Sequence, residues 1–246
     1  NTPALEFTFP APRIRFLDKT SFVLGGADFA PTLEGRAIPA WERIDAAAGQ
    51  ELVFERRRAG HWGYLAAAGG VASKRYLGSA SADTRSGISQ PLSPGSRLSL
   101  EGPPPADGRK VPVELATLPA DEPEVRYIPS DDPAAASLDG ALVTLSTMQD
   151  RSGYRTESPT FPEGVASMLS EGIPPGAIQM PPDGRPIFLM ADRPTTGGYP
   201  KFAFFASIDT RVIAQCPPGT RLRFRRITAE EGRRLVREAR TALTVL

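Results

Sequence analysis

Proline and glycine punctuate this chain so densely that long helices are excluded from most of it. The sequence has 26 prolines and 23 glycines among 246 residues, about one residue in five, which is well above ordinary usage. Proline removes a backbone donor and glycine weakens regular elements, so many short strands joined by tight turns are favoured over a helical bundle. Residues 221–225 (RLRFR) show the alternation that a half-buried strand requires.

Short apolar segments bounded by turn residues predict where the strands lie. We expect strands at residues 13–16, 21–24, 51–56, 63–67, 97–100, 111–115, 125–128, 141–146, 186–191, 201–208 and 221–227. One long helix is predicted at the C-terminus, because Thr228 and Glu231 form a capping box ahead of an apolar stripe.

Matching motifs in the two halves of the chain indicate that it repeats one design. Residues 93–100 (SPGSRLSL) resemble residues 217–224 (PPGTRLRF), and a strand followed by a Gly-Gly pair occurs at both 64–70 and 187–198. Both pairs of motifs lie about half the chain length apart, which is typical of a tandem duplication. Chance is the alternative, since Pro-Gly turns often precede strands.

The duplication predicts two β domains. We place the first at residues 1–115 and the second at residues 116–246, with a Pro/Gly/Asp-rich linker at 102–123 and a further loop at 129–136.

The charge balance and the rare residue types exclude several classes of protein. Lys plus Arg is 29 and Asp plus Glu is 28, a net charge of +1, which leaves no basic excess for a nucleic-acid partner. The single Cys216 and the single His61 exclude a multi-Cys or His-rich metal site, so no metal is predicted. The chain has neither a membrane-length apolar run nor a signal-peptide core, so we expect no membrane partner and a cytoplasmic location.

The densest set of chemically useful residues follows the predicted strand at 186–191. It combines an acid, cations, hydroxyls and glycines, with an aromatic ring beside them: Asp192, Arg193, Thr195, Thr196, Gly197, Gly198, Tyr199 and Lys201. Glycines let backbone N–H groups approach an anion, and hydroxyls and cations add donors, so the loop could bind a carboxylate or phosphate. The alternative is a hairpin turn with a surface ion pair. The spacing is not that of a Walker A loop.

The sequence around this loop resembles the signature of the biotin-dependent carboxyltransferase family. The similarity is carried by SEGIPPGAIQMPPDGRPIFLMADRPTTGGYPKFA and, in order, by ALEFTFPAPRIRFL, GGADFAPTLEGRAIPAW, GYLAAAGGV, LGS and DRSGYRTESP. That family includes the C subunit of bacterial 5-oxoprolinase, also called the Kip inhibitor antagonist, and allophanate hydrolase subunit 2. The resemblance implies a mainly β fold of two cyclophilin-like β-barrel domains with a short C-terminal helix.

The sequence also departs from the family pattern. Ala80 stands where relatives have arginine, Ser152 where they have methionine and Pro194 where they have glutamine. We also expect the usual N-terminal segment, with its Thr-Val-Gln-Asp…Gly-Tyr-Arg motif, to be missing from this sequence. These differences predict a divergent member of the family.

The candidate catalytic residues are Arg155, Glu171, Gln179 and Asp192. Arg155 could clamp a carboxylate with two hydrogen bonds, or form a structural ion pair. Glu171 could act as a base or bind an amide N–H, and Gln179 offers a donor and an acceptor to an amide substrate. Asp192 could instead pair with Arg193, and Asp28 is either a further binding residue or an Asx-turn residue.

The resemblance implies a component of an ATP-dependent, hetero-oligomeric 5-oxoprolinase that opens 5-oxoproline to glutamate. It implies a B-like (Kip-inhibitor-like) partner protein, a third component, and ATP with Mg entering through the complex. One alternative is carboxyl transfer to urea or a related amide from carboxybiotin carried on another chain, since no Met-Lys-Met biotin site occurs here. A non-catalytic antagonist of a kinase inhibitor and a carbohydrate- or peptide-binding β domain are two further possibilities.

Overall fold

The chain folds into two compact units, Asn1–Ala116 and Thr117–Leu246. The computed structural model describes residues 2–83, 87, 91–102, 117–161 and 168–244. Strands dominate both units and a helix ends the second, so the predicted mainly β fold with a C-terminal helix is confirmed. The predicted domain boundary, between residues 115 and 116, lies outside the described residues.

Eight short strands lie among the described residues of the first unit. They are β1 (Leu5–Phe7), β2 (Ile14–Arg15), β3 (Thr20–Asp28), β4 (Pro31–Leu33), β5 (Arg36–Ala37), β6 (Arg43–Ala46), β7 (Glu51–Phe54) and β8 (Ala59–Ala67). They form two four-stranded antiparallel sheets, in the orders β1-β8-β3-β6 and β2-β7-β4-β5. Their apolar residues meet in one core, where the rings of Phe16 and Phe22 stack with centroids 5.0 Å apart.

The second unit is a closed barrel of seven strands with a separate two-stranded pair. The barrel strands are β9 (Glu124–Pro129), β10 (Leu142–Gln149), β11 (Gly153–Ser158), β13 (Ala177–Gln179), β14 (Ile187–Leu189), β16 (Lys201–Phe205) and β17 (Arg221–Arg226). The separate pair, β12 (Glu171–Gly172) and β15 (Thr196–Gly197), is called the arm below. Around the barrel the order is β10-β11-β14-β13-β16-β9-β17. β17 pairs with β9 in parallel, and every other neighbouring pair is antiparallel.

Aromatic side chains fill the barrel because strand residues alternate between its two faces. Phe188, Phe205 and Phe224 are buried at its centre. The rings of Phe188 and Phe205 meet edge to face at 4.9 Å, and Phe224 lies 5.6 Å from Phe205. The same alternation directs the intervening residues of each strand to the outer face.

An ion pair fastens β9 to the short helix Thr210–Ala214. Asp209 is 3% exposed, and its carboxylate accepts hydrogen bonds from the backbone N–H of Arg126 at 2.7 Å and from its Nε at 2.8 Å. These hydrogen bonds raise the pKa of Arg126 above its ordinary value. Removal of either partner of such a buried ion pair is destabilising, because the remaining partner loses the hydrogen bonds that compensate its burial.

The C-terminal helix, Ala229–Thr244, begins as the sequence predicts. The hydroxyl of Thr228 accepts a hydrogen bond from the backbone N–H of Glu231 at 3.1 Å, which is the first half of the capping box. Gly232 lets the helix approach Ile128 of β9, since a Cβ at this position would lie 3.1 Å from its Cδ1. No helix among the described residues is both long enough and apolar enough to cross a membrane.

Some predicted elements differ from the observed ones. Residues 97–100 are not a strand: they are exposed, and Leu100 forms only an isolated bridge to Val71. The strand predicted at 111–115 lies outside the described residues. The loop predicted at 129–136 contains most of a 3₁₀ helix, Pro133–Leu138, which the side chain of Asp132 caps. Pro133 is favourable in the first turn of such a helix.

Replacement of Asp209 by alanine should destabilise the protein by about 3 kcal/mol, because it leaves the Arg126 guanidinium and backbone donor without their acceptor. Chemical denaturation measures this loss. Glu124→Gln is the control, because its exposed pair with Arg225 should contribute less than about 1 kcal/mol. Equal losses in the two variants would contradict the role given to Asp209.

Cys216 should resist alkylation in the folded protein. Burial raises the pKa of its thiol to about 12, so at pH 8 the reactive thiolate is rarer than for an ordinary cysteine by about a thousandfold. Iodoacetamide labelling followed by mass spectrometry should show slow modification at pH 8 and fast modification after unfolding in guanidinium. Fast labelling of the folded chain would refute this account.

Candidate functional site

A row of paired residues crosses the outer face of the barrel. Arg155 is paired with Ile187, Ile187 with Gln179, and Gln179 with Lys201, although a bulge precedes the last pair. Directly paired residues of antiparallel strands point to the same face, and neighbouring strands lie about 4.8 Å apart. The row therefore brings the predicted candidates Arg155, Gln179 and Lys201 onto one surface.

The arm packs against this row. In its two strands Glu171 is paired with Gly197 and Gly172 with Thr196. Gly197 is so close to the barrel that a Cβ there would lie 2.7 Å from Cδ1 of Ile173 and 3.0 Å from Nε2 of Gln179. Glycine at this position thus allows the arm to reach the barrel.

A small apolar cluster lies beneath the arm. Ile173, Ala177 and Leu189 are buried in it, and Ile187 and Phe204 pack against them. This cluster shields the middle of the row from water, so polar groups beside it experience a lower dielectric than at an open surface.

Lys201 and Glu171 form an ion pair between the row and the arm. The side chain of Lys201 is only 12% exposed, whereas that of Glu171 is 46% exposed. The ammonium group is therefore held in a sheltered position by a carboxylate that still reaches solvent. An anionic group of a ligand could replace the Glu171 carboxylate beside Lys201, so this lysine is suited to anion binding.

Gln179 is 6% exposed and is only weakly engaged. Its Nε2 donates to the backbone oxygen of Tyr199 at 3.4 Å, which is long for a hydrogen bond. No described residue donates a hydrogen bond to its Oε1. An amide side chain with a weakly held donor and an acceptor to which no described residue donates matches the hydrogen-bonding pattern of another amide.

Asp192 and Arg193 have separate partners and do not pair with each other. The carboxylate of Asp192 accepts two hydrogen bonds from Arg151, at 2.6 and 3.1 Å. The Nε of Arg193 donates to the backbone oxygen of Ile173 at 3.0 Å. Both residues hold the segment between β14 and the arm in place.

The Thr-Thr-Gly-Gly stretch runs as an extended ribbon. The carbonyl of Thr195 accepts from the N–H of Ile173, and that of Gly198 accepts from the N–H of Met168, both at 2.9 Å. The side chains of Thr195, Thr196 and Tyr199 are exposed. Their hydroxyls are thus accessible, and anion binding by this stretch stays a prediction.

Asp28 lies in the first unit and has a structural role there. Its Oδ1 accepts from the backbone N–H of Ala30 at 2.8 Å, as in an Asx turn, and its Oδ2 lies 3.6 Å from Arg58. His61 lies on β8 of the same unit, where burial and then the charge of Arg57 lower its pKa. Its imidazole is therefore neutral at pH 7.

Arg155 ends the row beside a cleft that sequence reasoning missed. The cleft is lined by Ser146, Thr147, Met148, Arg155, Thr156, Glu157, Asp183 and Arg185. The Pro-Pro-Asp-Gly turn at 181–184 is the one sequence signal that could have identified it, because such a turn fixes the side chains that follow it. Among the described residues no group of three or more His, Cys, Asp or Glu side chains could hold a metal ion.

Comparison with known proteins identifies relatives over most of the chain. The family model described as "Carboxyltransferase domain, subdomain A and B" matches residues 1–226. A protein named as the C subunit of 5-oxoprolinase in Haemophilus influenzae is 31% identical over 97% of this chain and 79% of its own length. The protein of that name in Escherichia coli is 32% identical over 94% of this chain and 77% of its own length.

Two further proteins are similar to this chain. A putative urea carboxylase of Emericella nidulans is 26% identical over 90% of this chain but only 20% of its own length. The crystal structure of TTHA0988 superposes with a TM-score of 0.83 at 34% identity, over 91% of this chain and 45% of that one. The chain thus spans less than half the length of that solved structure.

Gly197→Ala should loosen the arm, since the added methyl group collides with Ile173 and Gln179. We expect a loss of about 1–3 kcal/mol, typical of overpacking, together with faster amide exchange in β12 and β15. The matched control is Gly172→Ala in the partner strand, where no atom lies within 4 Å of the added Cβ. Hydrogen exchange that is equally fast in both variants would show that the close approach of Gly197 does not hold the arm.

Proposed function

The chain belongs to the carboxyltransferase-domain family, and from this premise we propose that it is the C-like component of an ATP-dependent 5-oxoprolinase. The observation that carries the proposal is the likeness to two proteins named as the C subunit of 5-oxoprolinase, at 31% and 32% identity over 97% and 94% of this chain. Relatives named as subunits support a role inside an enzyme complex.

The substrate's chemistry fits the row under the arm. 5-Oxoproline is a lactam with a ring N–H donor, a carbonyl acceptor and a carboxylate. The Oε1 of Gln179 can accept a hydrogen bond from the ring N–H, and its Nε2 can exchange the long bond to Tyr199 for one to the lactam oxygen. A site that satisfies both amide groups discriminates strongly against ligands that lack them.

Lys201 would supply the charge. Its ammonium group is largely sheltered and lies one strand away from Gln179. A cation in such a position can bind the substrate carboxylate, or stabilise negative charge that develops on the lactam oxygen during ring opening. Glu171, which pairs with Lys201 in the resting arrangement, would be displaced toward solvent.

The arm would have to move for this binding to occur. Gln179 is 6% exposed, and Gly197 lies directly against it. The arm has only two residues in each strand, so a small displacement would open the row. Closure over the substrate would then exclude water from the reaction.

In this proposal ATP and Mg enter through the complex and bind on the B-like partner protein or on a third component. The Gly-rich stretch of this chain lacks the spacing of a Walker A loop. The part of this chain is therefore to bind and orient the lactam.

Carboxyl transfer to urea or a related amide is the second candidate. It is favoured by the description of the matched family and by the likeness to a putative urea carboxylase. The same pairing of Gln179 with an amide would serve a urea-like acceptor. Carboxybiotin would then arrive on another chain.

The test measures ATP hydrolysis on addition of 5-oxoproline, with this chain alone and then with its co-encoded B-like and third components. We expect turnover only in the full mixture. Lys201→Ala should lower kcat/KM by about a hundredfold or more, and Gln179→Ala by about tenfold or more, as expected for loss of a charged and a neutral contact to the reacting group.

Arg221→Ala is the matched control, because it removes an exposed cation of β17 that pairs with Glu122 and lies outside the row. It should leave turnover unchanged. A stable complex without turnover would refute the 5-oxoprolinase assignment. Carboxylation of urea in the presence of a carboxybiotin-bearing chain would then support the second candidate, and inactivity with both substrates would favour an antagonist of a kinase inhibitor.

A further inference from the structure

A wide bulge in β10 opens the cleft beside Arg155. Leu145 is paired with Thr156 and Gln149 with Tyr154, so residues 146–148 on β10 face the single residue Arg155 on β11. The extra residues arch away from the neighbouring strand. Bulges of this kind are concentrated next to functional sites, where they direct side chains into a new position.

The resulting cleft has a volume of about 280 Å³. Small-molecule sites begin at about 300 Å³, so the cleft has room for a small metabolite. The tight turn before β14 forms one rim. Gly184 (φ +68°) allows the turn, because a Cβ there would lie 2.4 Å from the backbone oxygen of Phe161.

Four charged side chains line the cleft: Arg155, Glu157, Asp183 and Arg185. All four are exposed, and none of them forms an ion pair with a described residue. Asp183 uses Oδ1 to accept from the backbone N–H of Arg185 at 3.1 Å, which leaves its Oδ2 for a ligand. Two cations and two anions thus share one cleft while their charges remain available.

This pattern of charge selects the ligand. A ligand that carries only negative charge would be attracted by the two arginines and repelled by Glu157 and Asp183. A ligand that carries only positive charge would be attracted by the acids and repelled by the arginines. A molecule with separated carboxylate and ammonium groups can satisfy both. Two arginines further favour two carboxylates on the same molecule, each bound through a guanidinium fork.

We propose that this cleft binds a free acidic α-amino acid, with its carboxylates on Arg155 and Arg185 and its ammonium group on Glu157 and Asp183. The hydroxyl of Ser146, which accepts from the N–H of Met148 at 3.0 Å, retains its hydrogen for a ligand carboxylate. The proposal stands on the cleft alone. Under the proposed function the glutamate product belongs to this ligand class, so the cleft would retain product after ring opening.

Calorimetric titration of the 246-residue chain tests the proposal without partner or ATP, so its failure is separate from a failure of turnover. The probes are L-glutamate, L-glutamine, glutarate and 5-oxo-L-proline. We expect saturable binding of L-glutamate, binding of L-glutamine weaker by about tenfold, and little binding of glutarate, which lacks the ammonium group. Any binding of 5-oxo-L-proline belongs to the row under the arm, so it should survive Arg155→Gln and Arg185→Gln.

Variants then locate the site. Arg155→Gln and Arg185→Gln should each weaken L-glutamate binding by about tenfold or more, and Glu157→Gln should reduce the difference in affinity between L-glutamate and glutarate. Arg233→Gln, at an exposed position on the C-terminal helix, is the control and should change nothing. Because all of these side chains are exposed, thermal unfolding should be nearly the same for every variant.

Two results would overturn the proposal. One is the lack of saturable binding of L-glutamate up to about 10 mM, a concentration at which any functional site for a free amino acid should be occupied. The other is binding that survives Arg155→Gln and Arg185→Gln, which would place the amino acid elsewhere.

Discussion

The parallel pairing of β9 with β17 is the contact on which the second unit depends. Arg223, Phe224 and Arg225 are paired there with residues at the start of β9, and this pairing closes an otherwise antiparallel ribbon into a barrel. Without it the ribbon would be an open sheet with two unpaired edges. Exposed ion pairs, Arg223 with Glu122 and Arg225 with Glu124, accompany the same contact.

Closure also determines where chemistry can take place. Buried apolar side chains, several of them aromatic, occupy the interior, and the candidate functional groups described above lie on the outer face. The arm supplies what an outer surface normally lacks, which is shelter from water. Gln179 and Lys201 are therefore polar groups on the outside of a barrel that nevertheless have low exposure.

Local patterns in the sequence predict the fold class, and family resemblance points to the segment that contains the candidate site. The alternation in β17 and the Thr228–Glu231 cap are short-range signals, and both predict the observed element. Family resemblance identifies the segment from Ser170 to Lys201. Within it, the pairing of Glu171 with Lys201 joins residues that are 30 positions apart, and no local rule connects them.

Other features depend on strand register, which the sequence does not display. The row from Arg155 to Lys201 exists because four strands align in one register. The bulge at residues 146–148 has no signature in the letters Ser-Thr-Met. Gly197 illustrates a third limit: nothing in the sequence shows that the side chains of Ile173 and Gln179 lie so close to this glycine that a Cβ would collide with them.

The closed barrel has a consequence for how this protein can be recognised. A sheet with a free edge can accept an extra strand from another protein, but a closed barrel has no such edge to offer. A partner must therefore bind the barrel of the second unit through its side chains or turns, or bind the arm. Recognition of that kind depends on surface shape and charge, so a single substitution on the surface can end one partnership while the fold persists.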